Sequence, residues 1–296
     1  MFRPKNFAPT FEALAASPPS APQRTKFAVP SDGARMIRLP FLRRCGSRGP
    51  KLMLYTRKAL IRPPMRVLLL PVKNLRNAKN RLACVLTPEE RLGLAQAMLA
   101  DTVRAVQGVR YAAKVFVISD YQPALDVAVE NGWEILREDR QISESESVDA
   151  ASRICEERGV RSLLRLPIDL PLIQPGDIDE LLAIDCHSPT MAIVPSRDGT
   201  GTNALLRTPP TLFPSHFGEG SFAKHLAEAK QARAEIFARR NPRLEMDVDD
   251  ESDLRALLEY DLRATATGRW LRETGLDARF RGVSKKEAGV AAGNHL

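Results

Sequence analysis

Short apolar runs alternate with longer stretches of helical period along this chain from Arg66 onward. Arg66–Val72 (RVLLLPV) is almost continuously apolar, as a parallel strand covered on both faces requires. By the same criterion Lys114–Ser119, Trp133–Leu136, Ser162–Leu166 and Thr190–Pro195 are strands. Between them a helix is predicted from Pro88 to about Val106, with Leu92, Ala95, Leu99, Val103 and Val106 on one stripe. Thr87 is its N-cap, Pro88 suits the first helical position and Glu90 completes a capping box. Further helices are expected over Pro123–Asn131, with Gly132 ending it, over Ser147–Arg158, stopped by Gly159, and over Pro175–Ala183. This alternation argues for the α/β class, with a mostly parallel sheet and helices on both faces.

The stretch Leu163–Leu172 (LLRLPIDLPL) is a short strand that ends in one carboxylate, Asp169, before a Pro-bounded turn. Open α/β sheets bind ligands at the carboxyl ends of their strands. Mg²⁺ prefers one or two protein carboxylates plus phosphate oxygens, so Asp169 is placed either for that role or to cap the next helix. After the first strand, Lys73, Arg76, Lys79 and Arg81 crowd one loop. The segment Ser196–Leu205 (SRDGTGTNAL) reads as a loop whose backbone N–H groups and hydroxyls could meet an oxyanion, or as a surface turn. Phe217–Phe222 (FGEGSF) opens a helix near Ser221, where Ser221 could cap and the positive helix end could receive an anion. In Leu244–Leu254 (LEMDVDDESDL), Asp247 and Asp249 share a face by the period of two. Acids crowded in this way repel unless a cation relieves them, although acidic residues also serve to start helices.

Composition narrows the reading. The 296 residues could hold one large α/β domain or two small ones, 44% are hydrophobic and the mean hydropathy is −0.24. No apolar run reaches the roughly 18–20 residues a membrane span needs. Cys45, Cys84, Cys155 and Cys186 lie far apart without metal-ligand spacing, which fits a reducing compartment with neither disulfide framework nor zinc site. The net charge is +8, but residues 1–64 hold 13 Lys/Arg against Glu12 and Asp32, a net of +11, which leaves the other 232 residues at −3. The basicity therefore gives the folded part no nucleic-acid signature. Residues 1–64, rich in Pro, Arg, Ser and Ala, read as a disordered basic extension. A natural start at Met65 is favoured there over a targeting peptide or a basic arm for a partner, because Met65-Arg66 opens directly onto the first strand. Residues 65–262 are expected to be the catalytic domain and 263–296 a basic tail that frays past Trp270.

In order, PVKNLRNAKNRLACVLTPEER, LRLPIDLPLI, RDGTGTNALL, FGEGSFAKH and MDVDDESDL resemble one family over roughly Met65–Tyr260. It is the guanylyltransferases that activate a small phosphorylated acid in coenzyme F-420 biosynthesis. The RDGTGTNAL loop and the FGxGSFxxH element carry the specificity of that resemblance. It implies a GT-A-like nucleotidyltransferase fold and transfer of GMP from GTP to phosphoenolpyruvate, 2-phospho-L-lactate or 3-phospho-D-glycerate, with release of pyrophosphate. Asp169 resembles the first Mg²⁺ ligand and Asp249 the second, with Asp247 as the alternative. Lys73, Lys79 and Arg81 resemble the cations that hold the GTP phosphates, Lys73 joining Asp169 as a catalytic residue. Thr202, Asn203, Gly218 and Ser221 resemble the acceptor pocket. A homodimer and the downstream transferase of the pathway are the protein partners expected, in the cytoplasm, with no nucleic acid and no membrane.

Three positions depart from the family pattern. Val148-Asp149-Ala150 stands where a Leu-Asn-Ala-like element near the guanine base is usual, Ile168 replaces a small residue, and Asp250-Glu251 replaces Thr-Pro. A molybdenum-cofactor or sugar-nucleotide transferase would carry a glycine-rich first loop, which KNLRNAKNR is not. A non-catalytic paralogue would be favoured by loss of Asp169 or of both Asp247 and Asp249, all of which are present.

Overall fold

The computed structural model describes residues 65–140, 142–184 and 189–282. The expectations for residues 1–64, for Cys45 and Cys186 and for the tail beyond 282 lie outside the described residues. Seven strands, β1 (Arg66–Pro71), β2 (Lys114–Ser119), β3 (Glu134–Arg137), β4 (Ser162–Arg165), β5 (Thr190–Pro195), β6 (Thr202–Thr208) and β7 (Glu235–Ala238), form one sheet. Their order is β3-β2-β1-β4-β6-β5-β7. β1 pairs in parallel with β2 and β4, β2 with β3 and β5 with β7, whereas β6 runs antiparallel to both of its neighbours.

The helices follow the expected pattern, starting with α1 (Pro88–Gln107), whose Thr87/Glu90 capping box is formed. α2 (Gln122–Glu130), α3 (Glu144–Glu157), α4 (Pro175–Leu182) and α5 (Ser221–Gln231) complete the crossovers. Alternation along β1 divides the core between two faces. Leu68 and Leu70 pack with Ala95 and Leu99 of α1 and Ile178 of α4, while Val67 and Leu69 pack with Val148 and Ala151 of α3. Each such fully buried aliphatic side chain contributes about 1.5–3 kcal/mol relative to exposure. A third cluster joins Met191, Ile193 and Leu205 of β5 and β6 to Ala229 of α5.

Two elements depart from expectation. SRDGTGTNAL is not all loop, because the turn occupies only residues 196–201 and Thr202 begins β6. Asp198 organises that turn, accepting from Ser196 Oγ at 2.5 Å, Thr200 N at 3.0 Å and Thr200 Oγ1 at 2.8 Å. Gly199 takes φ 78°, a left-handed conformation that favours glycine. A Cβ on Gly201 would lie 2.8 Å from Ser196 Oγ. The tight turn returns the chain along β5, which places Thr202 and Asn203 on a buried strand rather than in a surface loop.

The stretch past Trp270 does not fray within the described residues. After α6 (Pro242–Glu245) and α7 (Glu251–Leu257), α8 (Ala266–Thr274) and α9 (Leu276–Arg281) carry Leu271, Leu276 and Phe280 into a core with Leu94 and Met98 of α1. Asp101 of α1 accepts from the N–H groups of Ala266 at 2.7 Å and Thr267 at 2.9 Å, which caps α8. Gly93 leaves room for Trp270, whose Nε1 would stand 2.6 Å from a Cβ there. The basic composition hid an amphipathic pair whose charged side chains face outward. Among the described residues no helix is long and apolar enough to cross a membrane.

Candidate active site

The loops after β1 and β4, the β5–β6 turn and the segments before α5 and α7 surround an open cavity of about 1200 Å³. Lys73, Lys79, Arg81, Asp169, Thr202, Asn203, Gly218, Ser221, Asp247 and Asp249 all line it. The residues singled out from sequence, drawn from five separate stretches, therefore meet in one place. They divide into an acidic end and a neutral end.

At the acidic end, Lys79 Nζ lies 2.6 Å from Asp169 Oδ2 and 2.9 Å from Asp249 Oδ1. Lys79 heads a 3-10 turn over Asn80–Cys84 with φ 56°, uncommon for a residue with a Cβ, and its side chain is only 7% exposed. Burial alone would lower the Lys79 pKa, but the carboxylates of Asp169 and Asp249 hold it above the ordinary lysine range. Burial would likewise raise Asp169, and the Lys79 ammonium outweighs it, leaving that carboxyl below its usual range. Asp247 behaves oppositely. Burial and the neighbouring Asp169 push it up to about 7, although Asn203 Nδ2 donates to its Oδ1 at 3.1 Å. So one ammonium bridges two of three carboxylates, and the guanidinium groups of Arg165 and Arg197 act on the cluster from further away.

The residues present fit a hard divalent cation. Asp169 Oδ1 is buried without a hydrogen-bond partner, beside two more carboxylates, the oxygen donors that Mg²⁺ takes. Among the described residues no three metal-binding side chains stand in ligating geometry. Nζ of Lys79 fills the space between Asp169 and Asp249, the position a shared cation would need. Of the other cations, Lys73 is half exposed and 4.0 Å from Glu144 Oε2, and Arg81 is exposed on the rim.

At the neutral end, Ser221 is the first residue of α5 and nearly fully buried. It does not cap the helix: Gly220, with φ 66°, occupies that position and no side chain caps it. The left-handed φ at Gly218 and Gly220 lets the backbone turn without a Cβ and carry Ser221 inward. One helical turn on, His225 is wholly buried, with Nδ1 3.1 Å from Thr202 Oγ1 and Nε2 2.9 Å from the backbone N of His216. Asn203 also donates to Leu244 O at 3.0 Å, tying β6 to the acidic segment.

Sequence reasoning missed His225 as a contributor and missed Arg165. Arg165 ends β4, 5% exposed, donating from Nη1 to Thr202 O and Asn203 O at 3.2 Å each and from Nη2 to Glu144. Its guanidinium stacks 4.2 Å from the Phe217 ring centroid. The signal was available, since an arginine inside an apolar strand run is seldom buried unless paired. Asp149, expected near the base, faces elsewhere. It accepts from Ser215 N at 3.1 Å, Ser215 Oγ at 2.7 Å and Arg207 Nη1 at 3.3 Å, and it does not line the cavity. The wholly buried Arg207 takes that carboxylate as its ion-pair partner.

Comparison with known proteins agrees with this geometry. The family described as "Guanylyl transferase CofC like" matches residues 65–292. A phosphoenolpyruvate guanylyltransferase of Rubrobacter xylanophilus is 37% identical over 187 residues, covering 63% of this chain and 90% of that protein. A 2-phospho-L-lactate guanylyltransferase of Methanothermobacter thermautotrophicus is 32% identical over 186 residues, covering 63% and 81%. Among solved structures, one from Desulfovibrio desulfuricans G20, provisionally named a nucleotide-diphospho-sugar transferase, aligns with a TM-score of 0.60 at 18% identity. It covers 73% of this chain and 98% of its own, a likeness of fold.

Proposed function

Because the chain belongs to the family of CofC-like guanylyl transferases, we propose that it transfers GMP from GTP to a small phosphorylated acid in coenzyme F-420 biosynthesis. The acceptor is phosphoenolpyruvate, 2-phospho-L-lactate or 3-phospho-D-glycerate, and pyrophosphate is the second product. The observation that carries this reading is that one cavity is lined both by a carboxylate cluster and by the hydroxyl residues Thr202 and Ser221 with the glycines beside them. Such a cavity suits two anions that must be brought together.

In the reaction, a phosphate oxygen of the acceptor attacks the α-phosphorus of GTP. The bond from that phosphorus to the α–β bridging oxygen breaks, and its electron pair leaves with pyrophosphate. The nucleophile is already an anion, so no side chain needs to remove a proton. Positioning and charge neutralisation are what the protein must supply. Asp169, Asp247 and Asp249 would hold Mg²⁺, which when bound neutralises charge on the phosphates. Lys73 and Arg81, exposed at the rim, would bind the β- and γ-phosphates. Lys79 bridges Asp169 and Asp249 and holds them close, ready for exchange of partners. Thr202, Gly218 and Ser221 would bind the acceptor's carboxylate or phosphate.

The test is pyrophosphate release by the full chain from GTP and Mg²⁺, each of the three acids offered alone. Release that requires one acid establishes the reaction and identifies the acceptor. Release without any acid, or none with all three from protein that binds GTP, would overturn the reading.

A further inference from the structure

His225 lies behind the acceptor pocket, and its hydrogen bonds decide what Thr202 can do. The backbone N–H of His216 is a donor only, and it points at His225 Nε2 at 2.9 Å. Nε2 must therefore be the unprotonated ring nitrogen, so a neutral imidazole carries its hydrogen on Nδ1. That hydrogen goes to Thr202 Oγ1, 3.1 Å away. Thr202 Oγ1 then accepts from the ring and keeps its own hydrogen for another partner. Among the described residues the Thr202 hydroxyl has no acceptor, and Thr202 lines the cavity.

We propose that His225 is a positioning residue that fixes the Thr202 hydroxyl as a hydrogen-bond donor to the anionic acceptor acid. This rests on the reading of the neutral end as the acceptor pocket. The ring is well placed for the task. Ser221 and His225 are four residues apart on α5, so both face inward from the same helix side. The ring meets Phe217 edge-on at 5.1 Å and Phe213 at 6.0 Å between centroids, which holds its plane. Through His216 N the same ring braces the segment that leads into Gly218, the opposite wall of the pocket. Burial, followed by the charges of Arg207, His216, Arg165 and Lys224, depresses its pKa to about 3. The imidazole thus stays neutral, and the direction of the hydrogen bond does not change over working pH.

Two substitutions separate positioning from mere packing. The amide nitrogen of an asparagine can reach the place of Nδ1 and still donate to Thr202. A glutamine amide reaches the place of Nε2 and leaves Thr202 without its donor. In the full chain, His225→Gln is expected to raise KM for phosphoenolpyruvate about tenfold, the scale of a hydrogen bond to a charged group. KM for GTP and kcat stay within about twofold, His225→Asn stays near wild type, and His225→Gln adds nothing in a Thr202→Val background. Thermal melts establish that each variant is folded. Nitrogen-15 spectra of the histidine rings at neutral pH should show the Nδ1–H tautomer for His225. An Nε2–H tautomer, equal impairment by Asn and Gln, or a loss confined to kcat would each overturn the proposal. Calorimetric binding of phosphoenolpyruvate, which needs no turnover, separates it from the reading beneath it. Binding lost in His225→Gln and kept in His225→Asn, with no pyrophosphate released by wild type, would leave this inference standing and remove the proposed reaction. Absence of binding to wild type by phosphoenolpyruvate, 2-phospho-L-lactate and 3-phospho-D-glycerate alike would remove both.

Discussion

The two ends of the cavity prepare for anions in opposite ways. At the acidic end one ammonium bridges Asp169 and Asp249, Asp169 Oδ1 has no hydrogen-bond partner among the described residues, and Asp247 is pushed up to about 7 by burial and Asp169. At the neutral end Thr202, His225 and the backbone of His216 hold one another in place with no net charge, and only the Thr202 hydroxyl hydrogen is kept for a ligand. The first arrangement is short of partners without a ligand, and the second is already oriented before one arrives. Charges that must trade partners are left with an incomplete set of them, whereas dipoles that only need to point correctly are fixed by one another in the interior, where reorganisation would be expensive.

Four experiments would break or sharpen that contrast, from the largest effect to the smallest. Asp169→Asn removes a charge from the incomplete end, and pyrophosphate release should fall on the order of a thousandfold while the circular dichroism stays native. Near-normal turnover in folded protein would take Asp169 out of the mechanism. Lys79→Met should lower turnover about a hundredfold. It should also enlarge the rise in melting temperature that Mg²⁺ produces, since no internal ammonium competes for Asp169 and Asp249. An unchanged or smaller Mg²⁺ effect would mean the lysine does not stand in for a cation.

The other two address the neutral end. Arg207, wholly buried, donates to Asp149, to Ser152 Oγ at 2.8 Å and to Phe213 O, and so anchors the segment that precedes Gly218. Arg207→Met should cost about 3 kcal/mol in urea unfolding, the scale of breaking a buried ion pair. GTP affinity in the folded fraction should be kept, because Arg207 does not line the cavity. The pH response of His225 is the subtlest. Folded, its pKa is about 3, and unfolded it returns to about 6.5. Between those values the unfolded chain binds the proton that the folded one refuses. Its contribution to stability is therefore fully present above about pH 6.5 and declines as pH falls toward 3. The slope approaches about 1.4 kcal/mol per pH unit. Unfolding titrations of His225→Asn should lack that slope, and an unaltered acid limb would show that other groups set it.

Much of this was legible in the chain itself, and the failures share a cause. β1, β2 and β5 could be read because burial on both faces writes an unbroken apolar run. Thr87-Pro88-Glu89-Glu90 announced α1 because a capping box is a local device. Asp169 and the Asp247/Asp249 pair were each conspicuous at a strand or helix end, where acids also serve as caps, and it was the family resemblance that joined them as a set. Thr202 was misread as loop because its Gly/Thr-rich approach masks the strand that follows. Ser221 was misread as a cap because a glycine in the left-handed region already did that work. The roles of His225 and Arg165 and the true partner of Asp149 depended on pairings between distant elements, such as Arg207 with Asp149 over 58 residues, whose partners local pattern does not name.

The docking of α8 and α9 on α1 also bears on how the protein is made. Asp101 binds the amide of Thr267 across 166 residues of chain, and Leu94 and Met98 find their cover in Leu271, Leu276 and Phe280. On the ribosome, α1 emerges early, yet one flank of it stays bare until nearly all of the sheet has been synthesised. Contacts so distant in sequence close late and slowly. The nascent chain therefore carries an uncovered apolar stripe through most of its translation, the interval in which a holding chaperone would matter most.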